Sequence, residues 1–122
     1  MKVLVCGGRT FEDEDLLNRE LDRLHAEYGF STLIEGVARG ADQLAGVWAR
    51  SRGVALVEYP AHWEEEGRHA ALIRNERMLV EGRPDLVVAF HGGRGTWHMC
   101  KLAEDAGVPV IRIAAASGLD RA

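Results

Sequence analysis

No apolar run in this chain approaches the roughly 18 consecutive residues of a membrane-spanning helix, so no membrane segment is expected. Cysteine is scarce, with Cys6 and Cys100 alone. Neither stands in a Cys-x-x-Cys or a paired metal-ligand spacing, so both read as buried or half-buried free thiols. His25, His62, His69, His91 and His98 are scattered without ligand spacing, and no metal is expected. No G-x-S-x-G occurs, which removes a Ser-His-Asp elbow. A complete G-x-x-x-x-G-K-[ST] is missing, as is a G-x-G-x-x-G after the first apolar run. An ATPase or an ordinary dinucleotide dehydrogenase is therefore disfavoured. Positive charge is not in excess: the formal net charge is -4, so the surface as a whole carries no nucleic-acid footprint. Internal repeats, low-complexity segments and interdomain linkers are absent. Met1-Lys2-Val3-Leu4-Val5 is too short for a signal-peptide core and runs into a glycine turn, so a cytoplasmic protein is expected.

What is present fits one globular domain. The chain has 122 residues, 47% hydrophobic and 28% charged, enough to bury a core without staples. Short apolar runs alternate with amphipathic stretches. Strands are predicted at Lys2–Cys6, Ser31–Glu35, Val54–Tyr59, Asp85–Phe90 and Val108–Ile113. Helices are predicted at Asp13–Tyr28, Ala41–Arg52, Arg68–Val80 and Thr96–Ala106, with Ala61–Gly67 irregular. Leu16, Leu17, Leu21, Leu24 and Tyr28 form the buried stripe of the first helix, and Leu72, Ile73, Met78 and Leu79 that of the third. Such alternation predicts a three-layer α/β/α, Rossmann-like domain over residues 1–113, with a short tail at 114–122 that frays. Right-handed crossovers give a five-stranded parallel sheet in the order 3-2-1-4-5. Its direction reverses between the first and fourth strands, and ligands bind at such a crevice.

That crevice singles out the loops after strands one and four, Gly7-Gly8-Arg9-Thr10 and His91-Gly92-Gly93-Arg94-Gly95-Thr96. Glycine lets a backbone turn sharply and approach a ligand. Thr96, at the start of a helix, either caps it or binds a phosphate oxygen, and the free N–H groups there favour an anion. Arg94 adds a forked donor. A third loop, Gly36-Val37-Ala38-Arg39-Gly40-Ala41-Asp42, offers Arg39 to a phosphate and Asp42 to a ribose hydroxyl; the alternative is that Asp42 caps the helix. Trp63 either covers a base or packs its loop against the domain. Arg74 and Asn75 are polar positions on a mostly apolar helix. Glu64, Glu65 and Glu66 read as a solvated acidic edge.

Taken in order, Gly7-Gly8-Arg9, Ala38-Arg39-Gly40-Ala41-Asp42, Tyr59-Pro60-Ala61-His62-Trp63, Ile73-Arg74-Asn75 and Ala89-Phe90-His91-Gly92-Gly93-Arg94-Gly95-Thr96 resemble the YspA-type, cpYpsA-related family of the SLOG superfamily. The match spans nearly the whole chain. It implies a Rossmann-like fold and a ligand related to nucleotides or NAD derivatives such as ADP-ribose, sensed or processed in stress or phage-conflict settings. Relatives include the lonely-guy phosphoribohydrolases and the DNA-processing protein A family. The hydrolases carry P-G-G-x-G-T-x-x-E. Here Gly92-Gly93-Arg94-Gly95-Thr96 matches the phosphate-binding core, but His91 stands at the proline and Met99 at the glutamate. A thioether neither takes a proton nor stabilises an oxocarbenium ion.

Three functions follow as expectations. The first is binding of a nucleotide or nucleotide derivative, as a sensor or processing domain, with no further cofactor. The second is hydrolysis of an N-glycosidic bond, with Asp42 or Glu35 replacing the missing glutamate. The third is single-stranded nucleic-acid binding through arginines with Trp63 and Trp97. A homo-oligomer is expected, with Trp48 or Trp97 at its interface.

Overall fold

A computed structural model describes residues 1–115. Five strands, β1 (Lys2–Cys6), β2 (Thr32–Glu35), β3 (Ala55–Glu58), β4 (Leu86–Ala89) and β5 (Val110–Arg112), alternate with the helices α1 (Glu14–Tyr28), α2 (Ala41–Arg52), α3 (Trp63–Glu66), α4 (Ala70–Val80) and α5 (Arg94–Asp105). The sheet is parallel throughout, in the order β3-β2-β1-β4-β5. The fold is the Rossmann-like α/β architecture that the alternation predicts. The tail expectation falls largely on residues 116–122, outside the described residues.

Both faces of the central strands are covered, which is why β1 and β4 read as continuous apolar runs. Val3, Val5, Leu33 and Val88 face α1 and α2, where Leu17, Leu21, Ala45 and Trp48 complete one core. Leu4, Ile34, Val87 and Ala89 face α4 and α5, where Met78, Met99 and Ala103 complete the other. Residues alternate between the two because side chains along a strand point to opposite faces. Asp13 caps α1, its carboxylate accepting from the Leu16 N–H at 3.1 Å. Among the described residues no helix is long and apolar enough to cross a membrane.

Five local expectations are corrected. Tyr28 leaves the α1 stripe and is exposed, because Phe30, beyond the Gly29 turn, fills that end of the core. Trp48 is 1% exposed, and its indole donates to Asp22 Oδ1 at 2.9 Å, so it belongs to the core and not to a free surface. The segment at 61–67 is not irregular: it holds α3, followed by a 3-10 turn at Gly67–His69. Glu66 departs from the solvated acidic edge and pairs with Arg77 at 3.1 Å. On α4, Leu72 is exposed while Arg74 and Asn75 are buried, so the helix turns its polar residues inward. The last correction matters most, since that inward face meets the loops at the carboxyl ends of β1, β2 and β4.

Gly40 is the tightest point of this arrangement. Its φ is +81°, and an added Cβ would lie 2.2 Å from the Gly8 carbonyl oxygen. Gly53 has a φ of +71° with nothing within 4 Å. Gly40→Ala is therefore expected to cost roughly 2 to 4 kcal/mol in urea unfolding, from strain and overpacking together. Gly53→Ala is expected to cost only about 1 kcal/mol, from the left-handed backbone alone. Equal losses would contradict the close approach.

Candidate functional site

Three loops converge at the carboxyl ends of the strands, joined backbone to backbone. The Gly8 N–H donates to the His91 carbonyl at 2.9 Å, tying the β1 loop to the β4 loop. The Gly8 carbonyl accepts from the Ala41 N–H at 3.2 Å, tying it to the start of α2. Side chains would prevent both contacts: a Cβ on Gly8 would meet Gly92 Cα at 3.0 Å, and one on Gly7 would meet Ala41 Cβ at 2.5 Å. Gly92 is equally confined, by Thr96 Oγ1 and the Gly8 nitrogen. Gly93 and Gly95 differ, since a Cβ there would meet nothing within 4 Å. Their bare backbone faces open space.

That space is a cleft of about 520 Å³. Gly7 and Gly8 form one wall, and Gly93, Gly95 and Thr96 form another. Arg9, Arg68, Arg74 and Arg94 all line it, and among the described residues Asp42 is the one carboxylate that does. Gly93 is the N-cap of α5, which begins at Arg94, two residues before the predicted start. No side chain caps this helix. Thr96 is thus its third residue, and its hydroxyl is not used as a cap. The N–H groups of a first helical turn have no partner within the helix, and the dipole adds positive potential there.

Arg74 and Asn75 brace two of the loops from α4. Arg74 donates from its Nη1 to the Gly36 carbonyl and from Nε to Asn75 Oδ1 at 3.0 Å. That second bond orients the Asn75 amide. Its Nδ2 then donates to the Gly95 carbonyl at 3.1 Å and faces His98 Nδ1 at 3.1 Å. One buried pair thereby holds the β2 loop and the α5 N-terminus in register. A Cβ on Gly36 would strike the Arg74 guanidinium, which would have to leave its present position. The same loop holds Val37 at φ +64°, a costly conformation for a β-branched residue.

A second space of about 350 Å³ adjoins the first, lined by Val37, Arg39 and Pro60, with Arg9, Ala38, Trp63 and Arg74 shared between the two. Trp63 is 48% exposed, so about half of its surface is open to the cleft and solvent. The Arg9 guanidinium lies over its ring at 5.6 Å, in cation–π range.

Of the residues selected from sequence, Gly7, Gly8, Arg9, Gly36, Arg39, Asp42, Trp63, Arg74, Asn75, Gly93, Arg94, Gly95 and Thr96 line these two connected spaces. Gly40 and Gly92 stand behind the walls and let the loops close. Thr10 and Glu35 are not in the lining, and Met99 is buried in the core. Sequence reading overlooked Arg68, Met78 and Cys6 as lining residues. Arg68, Ala71, Asn75 and Met78 share the spacing of one helical face, which was the available signal.

Two carboxyls of this region are buried, Asp42 in the cleft lining and Glu35 behind it. Burial pushes Asp42 up to about 6, against the bond it accepts from the Ala38 N–H at 3.2 Å and the Arg74 charge. Burial also pushes Glu35 up, to about 8, aided by a hydrogen bond with Glu58, its partner in the β2–β3 register. Glu35 also accepts from the Val37 N–H. A carboxyl raised on folding keeps its proton after the unfolded chain has released one, so stability is lost as pH rises through the folded value. Stability is expected to fall between pH 4.5 and about 8 as Glu35 ionises. Glu35→Gln keeps an acceptor for Val37 and is expected to flatten that slope, gaining about 1 kcal/mol or more at the alkaline end. Denaturant titrations across this range check it; an unchanged slope would contradict a protonated Glu35.

A profile of the YspA, cpYpsA-related SLOG family matches residues 1–65, which contain the β1 and β2 loops and Trp63. The gene 61 protein of Mycobacterium phage D29 is 38% identical, the match covering 90% of this chain and 94% of the phage protein. With the sheet order and the glycine-built loops, these likenesses agree on one assignment: the chain belongs to the YspA, cpYpsA-related SLOG family.

Proposed function

We propose that the cleft binds a nucleotide or a nucleotide derivative, such as a nucleoside phosphate, ADP-ribose or an NAD-like molecule, and that the domain senses or processes it. One observation carries this reading: among the described residues, four arginines and a helix N-terminus without a side-chain cap surround a cleft with a single carboxylate, in a chain of net charge -4. Such a concentration of positive potential favours an anion. The volume of about 520 Å³ suits a small molecule and not a polymer. Membership of the SLOG family supports a nucleotide-related role.

Each group then has a part. A phosphate sits against the Gly93, Gly95 and Thr96 backbone, where no Cβ stands in the way, with the Thr96 hydroxyl donating. Arg94 and Arg9 neutralise its charge through charge-assisted hydrogen bonds. Asp42 accepts from a ribose hydroxyl, and the exposed ring of Trp63 stacks on a base. Arg39 and Arg74 serve a second phosphate in the adjoining space.

A hydrolytic reading has one observation in its favour. Asp42 is the lone carboxylate of the cleft among the described residues, and its burial pushes it up to about 6, a suitable range for a general base at neutral pH. In that reading Asp42 takes a proton from water attacking the anomeric carbon, a role Met99 cannot fill.

Calorimetry against nucleoside monophosphates, NAD and ADP-ribose tests binding. At least one of them is expected to bind, with affinity falling as salt is raised. Arg94→Ala is expected to weaken it about tenfold or more, the loss of one charge-assisted contact. Chromatography of the same mixtures reports cleavage: base released by the native protein and abolished in Asp42→Asn would bring hydrolysis forward. An absence of binding across the panel would contradict the proposal.

A further inference from the structure

Among the described residues Arg74 is the one buried arginine, at 7% exposure. A charge taken out of water needs a partner. Arg77, on the same helix, has Glu66 at 3.1 Å. Arg74 has no such partner: among the described residues no carboxylate oxygen lies within 4 Å of its guanidinium. Its Nη1 and Nε donate to uncharged acceptors, the Gly36 carbonyl and Asn75 Oδ1. Its Nη2 makes no hydrogen bond among the described residues and is not sealed off by the protein. A buried cation thus has one donor to spare where two open spaces meet.

Those spaces divide the surrounding groups between them. Arg94, Gly95 and Thr96 line only the larger one, as does Asp42. Arg39 lines only the space of about 350 Å³. Arg9, Trp63 and Arg74 stand at the boundary and border both. Among the described residues the smaller space is lined by three arginines and by no carboxylate. It is a second region of positive potential, on the far side of Arg74 from the α5 N-terminus.

Building on the reading of the main cleft as a nucleotide site, we propose that the smaller space holds a second, separate anionic group, and that the ligand is a nucleotide phosphorylated on the 2′ or 3′ oxygen of its ribose as well as on the 5′. The 5′-phosphate of such a molecule sits at the α5 N-terminus. Its ribose lies beside Asp42, which accepts from the free hydroxyl. The ribose phosphate crosses the boundary and meets Arg39, Arg9 and the spare Nη2 of Arg74. There it gives the buried guanidinium the counter-charge it lacks, through charge-assisted hydrogen bonds. A diphosphate keeps its two charges one bridging oxygen apart and leaves Arg39 unmatched.

Calorimetry of the native chain at one ionic strength, with AMP, ADP, adenosine 2′,5′-bisphosphate and adenosine 3′,5′-bisphosphate, tests this. AMP measures the main cleft alone, and ADP carries its added charge on a neighbouring phosphate. One of the bisphosphates is expected to bind about tenfold or more tighter than both, the gain of one charge-assisted contact. Arg39 is exposed, so Arg39→Ala removes its charge without disturbing the core. In that variant the advantage of the bisphosphate over ADP is expected to shrink to about twofold or less. If AMP binds and neither bisphosphate binds tighter than ADP, or if the advantage survives in Arg39→Ala, the second anion site is overturned and the nucleotide reading of the main cleft stands. Binding by none of the four would overturn both.

Discussion

The peptide of Gly8 is bonded in two directions. Its N–H reaches the loop after β4 and its carbonyl reaches the first residue of α2. Three loops from three strands are locked together there by main-chain atoms, with Gly7, Gly40 and Gly92 packed around the junction because no Cβ fits. The cleft is what remains beside that junction. It lies at the carboxyl ends of the strands where the sheet direction reverses, the usual place for a ligand in such a fold. Arg74 and Asn75 add a buried brace from α4, fixing the Gly36 and Gly95 carbonyls from below.

Electrostatics follow from this geometry. Burial makes the Arg74 charge costly and lowers its proton affinity, while Asp42 opposes that effect. Asp42 in turn is raised by its own burial and relieved by Arg74 and Arg9. The pair is poorly solvated, and Arg9, Arg68 and Arg94 add further positive charge around the same cleft. A bound anion would offset that excess. The strained Val37 sits in the same loop as Arg39, with φ at +64°.

Much of this was legible in the sequence. The strand order followed from alternation and handedness, and the three glycine loops from their composition. What the sequence concealed has physical causes. Gly95 is a poor helix former, so the start of α5 at Arg94 was not visible from propensity. Arg74 and Asn75 stood out as polar positions on an apolar helix, but their bracing role stayed hidden, because the hydrophobic pattern does not encode a polar partner such as the Gly36 carbonyl. Tyr28 fitted the α1 stripe, but Phe30 lay beyond the helix and took its place.

The central claim is that the main chain around the Gly8 junction and the α5 N-terminus receives an anionic nucleotide-type ligand. An amide-resolved NMR titration of the native chain with ADP-ribose and with AMP tests it most directly. The account predicts shifts concentrated at the amides of Gly8, Gly93, Gly95 and Thr96, with the Trp63 indole following. Shifts centred instead on the opposite end of the sheet, around Gly29 and Gly82, or no shifts with either ligand, would contradict it.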